Sequence, residues 1–200
     1  MRELREQDVD PDPLRQFLRW FDEARAAGLE LPEAVVLATA TRSGAPSARM
    51  VLLKGADERG FVFYSGYGSR KGRELAANPS AALLFYWHPL GRQVRIEGVV
   101  DRTGPEESDA YFRTRPAQSR LSAAASPQSE VIASREELEA RVEELAGVHP
   151  ARDVPRPEDW GGFRLAPRIY EFWQHRDDRL HDRLRYRRDG DAWVVERLGP

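Results

Sequence analysis

Residues 34–65 read AVVLATATRSGAPSARMVLLKGADERGFVFYS. Three apolar runs, rich in Val, Phe and Tyr, are separated by turn chemistry at Arg42-Ser43-Gly44 and around Asp57 to Gly60. That alternation of short strands and hairpin-length turns predicts a β-meander. It sets the fold class, because the same grammar resumes downstream in SAALLFYW (80–87), RQVRIEGVVDR (92–102), FRLAPRIYEFWQ (163–174), LRYRR (184–188) and AWVVERL (192–198). Strands of this length at hairpin spacing favour a closed or nearly closed barrel.

Helices fill the intervals. Asp12-Pro13 reads as an N-cap with proline at the first helical position, and Leu14, Phe17, Leu18 and Phe21 keep helical spacing before Gly28, predicting a helix over about 13–27. Ser69 caps a short helix over about 69–77, stopped by Asn78-Pro79. Gly104-Pro105 opens one over about 104–115, and Ser134 with Glu137 forms a capping box for another over about 134–146. The proline-rich GVHPARDVPRPEDWGG (147–162) reads as an irregular loop. The expectation is one domain over 1–200, mainly β with peripheral helices (α+β).

With 31 Lys+Arg against 33 Asp+Glu, the formal net charge is -2, and nothing global draws the chain to nucleic acid or an anionic membrane. Cysteine is absent, which excludes disulfides, thiolate metal sites and thiol nucleophiles, so redox chemistry would need a borrowed cofactor. The amino terminus lacks an apolar leader and the run Ala34 to Ala40 is too short to span a bilayer, so a cytoplasmic protein is expected. The four histidines show no metal-ligand spacing, there is no GxSxG elbow, and no acidic pair stands out.

Four charged clusters exceed what folding needs. Arg49 to Lys54 is a strand bounded by cations which, by alternation, point to opposite faces. Gly66-Tyr67-Gly68-Ser69-Arg70-Lys71-Gly72 is a glycine-rich turn entering a helix whose first turn carries two cations, against the helix dipole, which suits a phosphate. Tyr111 and Arg115 share a helix face, with Ser119 just beyond, and all three donate to phosphate oxygens. Near the end, Trp173 precedes Arg179, His181 and Arg183, which an extended backbone would place on one side. Each cluster also has a plain reading as solvated or salt-bridged surface.

Taken jointly, RMVLLK, FYSGYGSRKG, WHPLGRQV, YFRTRPAQS, SPQS, EFWQ and RLHDR follow the order and approximate spacing of the pyridoxine/pyridoxamine phosphate oxidase family, and the resemblance covers nearly the whole chain. It implies a Greek-key-like split β-barrel that forms a homodimer with FMN at the subunit interface. By similarity Arg49, Met50, Val51, Leu52, Leu53, Lys54, Tyr64, Ser65, Arg70, Lys71, Gln93, Gln128, Ser129, Trp173 and Arg183 would surround FMN. Lys54, Tyr111, Arg115 and Ser119 would hold a substrate phosphate, so that Arg49 and Lys54 would each serve a different anion. Arg179, Leu180 and His181 would lie at the substrate ring, with Arg179 and His181 orienting it for hydride transfer.

The implied reaction is oxidation of pyridoxamine or pyridoxine 5'-phosphate to pyridoxal 5'-phosphate, with dioxygen as acceptor, giving hydrogen peroxide, and ammonia from the amine. Family members commonly carry a longer basic and aromatic stretch before the first helix. Here eleven residues precede Asp12, and Arg2 and Arg5 are not assigned to covering the site. Two other readings stay open: a phenazine-biosynthesis flavin oxidase of the same fold, and a non-catalytic FMN or pyridoxal phosphate binding protein.

Overall fold

The computed structural model describes residues 3–149 and 153–200. The expected call on Arg2 therefore lies outside the described residues. The first helix, α1 (Pro13–Ala26), starts where expected: the Asp12 carboxylate accepts the Leu14 N–H at 2.9 Å, and proline occupies the first turn. Its inner face buries Phe17, Trp20, Phe21 and Ala24. Strands β1 (Ala34–Ala40), β2 (Pro46–Leu52), β3 (Gly55–Asp57) and β4 (Gly60–Gly66) follow, then α2 (Arg70–Ala77), β5 (Ser80–Trp87) and β6 (Arg92–Arg102). Three helices, α3 (Pro105–Thr114), α4 (Ala117–Ala125) and α5 (Arg135–Val148), precede β7 (Trp160–Gln174), β8 (Asp182–Asp189) and β9 (Ala192–Arg197).

The opening meander breaks after two strands. β1 pairs antiparallel with β2, but β4 pairs with β3 and with β7. The order across the sheet is β2-β1-β5-β6-β7-β4-β3, with β8 on β7 and β9 on β8. The long strand β7 makes this possible. Its first half, Trp160 to Leu165, takes β4, and its second half, Ile169 to Gln174, takes β8. Between them β6 and β7 shift register at Glu97/Gly98, opposite Pro167, a residue that offers no N–H to a ladder. Gly98 belongs there because a Cβ would stand 2.1 Å from the Ala166 carbonyl oxygen. The curled antiparallel sheet with peripheral helices agrees with the split-barrel expectation.

The inner face is a continuous apolar core: Val35, Leu37, Leu83, Phe85, Val94, Ile96, Phe172 and Leu184 are fully buried. Helix α1 closes it, with the Phe17 ring 4.9 Å from Phe61 and 5.0 Å from Phe85, and Trp20 edge-on to Phe172 at 5.2 Å. The opposite face of the same strands carries a register row Met50, Val36, Leu84, Arg95, Glu171. Two residues along lies a second row, Tyr86, Gln93, Trp173, Arg183. On this face Met50, Leu52 and Tyr86 are exposed at 59%, 40% and 56%.

Several boundaries differ from expectation. Strand β7 begins at Trp160, inside the segment read as loop; Gly161 and Gly162 pair with β4, and Tyr67, Ser108 and Thr103 side chains occupy the space that a Cβ would need at those positions. Helix α4 was not anticipated, since AQSRLSAAA carries little apolar periodicity and follows Pro116 directly. Helix α5 runs two residues past the expected end and buries none of its own residues. The expected helix ends at 13–27, 69–77 and 104–115 agree to within a residue.

Phe17→Ala removes the aromatic plug of the barrel. It is expected to lower unfolding free energy by roughly 3–5 kcal/mol, read as a fall in urea midpoint with unchanged m-value.

Candidate active site

The turn from β4 into α2 carries a cationic side chain into a buried setting. The Ser69 hydroxyl caps α2 by accepting the Gly72 N–H at 3.3 Å, and Gly72 leaves no space for a Cβ, which would meet the Tyr67 carbonyl oxygen at 2.2 Å. This packing turns the first helical turn inward and buries Lys71 to 8% exposure. Its Nζ donates to Ser65 Oγ at 2.8 Å, Gln128 Oε1 at 3.0 Å and Ser69 Oγ at 3.3 Å. All three oxygens are neutral. Burial, with a further contribution from the Arg49 charge, lowers the ammonium's pKa to about 8. A shift of that size corresponds to roughly 3 kcal/mol of penalty on the charged form.

Gln128 Oε1 also accepts from Ser65 Oγ at 2.7 Å and the Gly66 N–H at 3.3 Å. Three donors, one of them cationic, thus converge on one amide oxygen, as they would on an oxygen of an anion. Neighbouring Ser129 is exposed, at the left-handed φ of 72°. Arg49 enters from β2 and is held by Thr39, Ser47 and the buried carboxylate of Glu74 at 3.2 Å. Glu74 also takes the Arg70 Nε at 2.9 Å. Although burial opposes it, hydrogen bonds from Ser47, Thr39, Arg70 and Arg49 hold the Glu74 pKa down at about 2. Arg70 itself faces solvent, its side chain 60% exposed.

The opposite wall is aromatic. Tyr64, Tyr111 and Trp160 lie near parallel, the two tyrosine rings 3.8 Å apart, and burial raises the Tyr64 pKa to about 12. The Arg115 guanidinium sits 4.7 Å over Trp160. Its Nη1 is buried without a hydrogen-bond partner, and burial lowers its pKa. These walls enclose a hollow of about 260 Å³ lined by Arg49, Met50, Val51, Leu52, Lys54, Tyr64, Ser65, Lys71, Tyr111, Arg115, Gln128 and Trp160. It shares Tyr64, Ser65, Arg115, Gln128 and Trp160 with a larger cleft of about 820 Å³ that reaches α4 and α5.

This geometry corrects one expectation: β2 stops at Leu52, so strand alternation does not reach Lys54, and Arg49 and Lys54 line the same hollow. The Lys54 N–H instead pairs with the Val62 carbonyl at 2.8 Å. Leu53, also expected at the cofactor, is buried in the core cluster. Ser119 stands half-buried on α4, outside the lining of the hollow.

The remaining expected residues gather elsewhere. Gln93, Trp173 and Arg183 are cross-strand neighbours on the outer sheet face. Arg183 Nε donates to Glu171 at 2.9 Å. Arg179, Leu180 and His181 lie in the 175–181 connection. Arg179 has φ 63°, so the extended backbone expected to align it with His181 and Arg183 is absent. The His181 ring packs 4.7 Å from Trp173. Its Nδ1 accepts the Arg176 N–H at 3.1 Å, which places the proton of the neutral ring on Nε2.

Comparison with known proteins bears on this arrangement. The family model described as Pyridoxamine 5'-phosphate oxidase matches residues 21–149, and that described as Pyridoxine 5'-phosphate oxidase C-terminal dimerisation region matches 160–200. The chain belongs to the pyridoxamine 5'-phosphate oxidase family. Curated relatives named pyridoxine/pyridoxamine 5'-phosphate oxidase include one from Rubrobacter xylanophilus, 62% identical over 98% of this chain and 91% of the relative, and one from Trichormus variabilis, 56% identical over 98% and 92%. Among solved structures, PhzG from Burkholderia lata in complex with tetrahydrophenazine-1-carboxylic acid superposes with a TM-score of 0.93 at 36% identity, covering 99% of this chain and 98% of that one. A pyridoxamine 5'-phosphate oxidase-related, FMN binding protein from Nostoc punctiforme shares the fold, with a TM-score of 0.73, 17% identity and coverage of 96% and 100%.

Sequence reasoning did not single out Glu74, which holds Arg49 and Arg70, Trp160, which lines the hollow, or Glu171, which holds Arg95 and Arg183. Glu74 carried a usable signal, standing four residues after Arg70 on one helix. Trp160 and Glu171 carried none, because their roles arise from long-range strand pairing.

Anion binding at the buried Lys71 would depend on pH. Its pKa is lowered on folding, so the penalty is full below about pH 8 and is relieved as pH rises toward the unfolded value. An anion offsets it only while the ammonium is charged. Sulfate, whose charge is constant in this range, is expected to raise the melting temperature of the flavin-free protein more at pH 7 than at pH 9.5. An equal rise at both, or the same pH dependence in Lys71→Met, would contradict the assignment.

Proposed function

We propose that the chain is an FMN-dependent oxidase of pyridoxamine and pyridoxine 5'-phosphates, with dioxygen as acceptor. The observation that carries this reading is two cations facing one hollow without acidic partners: Lys71, buried among neutral oxygens, and the half-buried Arg115, whose buried Nη1 is unpartnered. Two cations on different elements suit two phosphates, one on the cofactor and one on the substrate. A flavin phosphate fits the donor set at Ser65, Arg49, Arg70, Lys71 and Gln128. The ring and ribityl would meet Met50, Val51, Leu52, Gln93, Ser129, Trp173 and Arg183, and Tyr64 the polar edge. When bound, FMN supplies the hydride acceptor and its reoxidation by dioxygen.

The protein's own part is positioning. Lys54, Tyr111, Arg115 and Ser119 hold the substrate phosphate, Tyr111 and Arg115 donating from the aromatic wall. Arg179, Leu180 and His181 sit at the substrate ring, with His181 donating from Nε2 to a ring acceptor and Arg179 supplying charge.

One chain keeps these two groups apart, the hollow at the β2 edge and the 175–181 connection at the far end of the outer face. Combining them in one site calls for a second copy. The exposed Met50, Leu52 and Tyr86 on the outer face, together with the match to a C-terminal dimerisation region, support a homodimer with the flavin between subunits.

The similarity to PhzG favours a second reading, oxidation of a larger tricyclic acid. Lys54, Tyr111 and Arg115 around one hollow argue for a phosphate ester instead. A cytoplasmic site of action belongs to the same proposal; among the described residues no helix is long and apolar enough to cross a membrane.

Anaerobic addition of pyridoxamine 5'-phosphate is expected to bleach the flavin absorbance, and admission of air to restore it with formation of pyridoxal 5'-phosphate. Full flavin occupancy without bleaching would leave only a binding protein. Arg115→Ala is expected to raise the substrate KM by about 10- to 100-fold, the loss of one charge-assisted contact, with little change in FMN affinity. Lys71→Ala is expected to weaken FMN more than substrate. Steady-state kinetics and flavin fluorescence titration separate the two, and equal effects on both ligands would contradict the division.

A further inference from the structure

The connection 175–181, between β7 and β8, carries Arg179, Leu180 and His181; the His181 ring packs on Trp173 and His175, while Leu180 is 66% exposed. Beyond that ring packing, its shape depends on polar ties. Within it, the Arg179 N–H donates to the Arg176 carbonyl at 3.2 Å, the Leu180 N–H to Asp178 Oδ1 at 3.0 Å, and the Arg176 N–H to His181 Nδ1 at 3.1 Å. At its carboxyl end stands Asp182, the first residue of β8, whose carboxylate faces the amino-terminal segment of the chain.

Asp182 Oδ2 accepts the Leu4 N–H at 3.1 Å, and Oδ1 accepts Arg197 Nη1 at 2.7 Å. Arg197 Nη2 donates to the Leu4 carbonyl at 2.8 Å, while Nε and Nη2 reach the two Glu6 oxygens at 2.8 and 3.0 Å. Both backbone groups of Leu4 are thus held by one ion pair, and the Leu4 side chain is buried in the core cluster at 6% exposure. At the other end of the connection, Arg176 reaches Glu3 at 3.4 Å.

A staple for the terminal hairpin would not need this arrangement, because β8 and β9 are already paired by backbone from Leu184↔Arg197 to Asp189↔Ala192. What the Asp182–Arg197 pair adds is a grip on the amino-terminal backbone. We propose that the segment Glu3 to Glu6 is a latch that fixes the shape of the 175–181 connection, with Asp182 as the positioning residue between them. Asp182 directly follows His181, so a turn of its backbone carries the imidazole with it. The functional part rests on the reading of Arg179 and His181 as substrate-orienting residues; the latch itself does not.

The test is hydrogen exchange, followed by mass spectrometry on the flavin-loaded protein, of wild type, Asp182→Asn and Glu6→Gln. Glu6 is half-exposed and touches the latch side only, so Glu6→Gln is expected to fold normally, as checked by melting temperature. Both variants are expected to speed exchange about 10-fold or more in peptides covering residues 175–181 as well as in the amino-terminal peptide, the scale of losing one charge-assisted contact. Both are also expected to lower kcat while leaving flavin affinity unchanged. Faster exchange at the amino terminus alone, with the connection at its wild-type rate in both variants, would overturn the latch. Coupled exchange in proteins that turn over no B6 phosphate would keep the latch and refute the proposed oxidase instead.

Discussion

A lysine ammonium held among neutral oxygens is the constraint around which this site is arranged. Lys71 receives Ser65, Ser69 and Gln128 where a buried cation would ordinarily find a carboxylate. The nearby acid, Glu74, is taken up by Arg49, Arg70, Thr39 and Ser47. Leaving the charge uncompensated is costly, and the fold bears that cost through rigid local packing. Gly72 lies against the Tyr67 carbonyl, β4 is clamped by β7, and Ser69 caps the helix. In the proposed function the compensating charge comes from a ligand.

The rest of the architecture serves to bring other donors to the same place. β7 pairs with β4 in its first half and β8 in its second, so one strand connects the Gly66–Gly72 turn to the connection carrying His181. The two regions nevertheless lie at different ends of the sheet, and the outer face between them is apolar and exposed at Met50, Leu52 and Tyr86. A barrel that leaves this face uncovered is shaped for association with a copy of itself. The amino-terminal segment fits the same logic: it lies along the terminal hairpin, bound by Arg197 and Asp182, away from the hollow.

Much of this was legible in the sequence, and the exceptions have common physical causes. Local signals were faithful: Asp12-Pro13, Ser69 and Ser134 cap their helices as their chemistry dictates, and the terminal hairpin turns at Gly190. Where an outcome depended on distant partners, local reading failed. FVFYS paired with the short β3 and with β7 rather than with β2, Gly161 and Gly162 fell within β7 close under Tyr67 and Thr103, and α4 formed without a periodic apolar stripe. At the site, the glycine-rich turn and the Tyr111/Arg115 spacing marked residues that line one hollow. Alternation misled at Lys54, because the strand ended two residues earlier, and at Arg179, whose left-handed backbone breaks the extended pattern. Glu74, Trp160, Glu171 and Asp182 matter through contacts that span much of the chain or that share one carboxylate among several donors.

The central claim, that the uncompensated charge at Lys71 is completed by the phosphate of a flavin, is tested most directly by comparing FMN with riboflavin, which differs only in lacking that phosphate. Titration of flavin-free protein by fluorescence quenching is predicted to give FMN at least about 100-fold tighter binding than riboflavin, the worth of two charge-assisted contacts, and Lys71→Met is predicted to remove most of the difference. Equal affinity for the two flavins, or a preference for FMN that survives Lys71→Met intact, would contradict it.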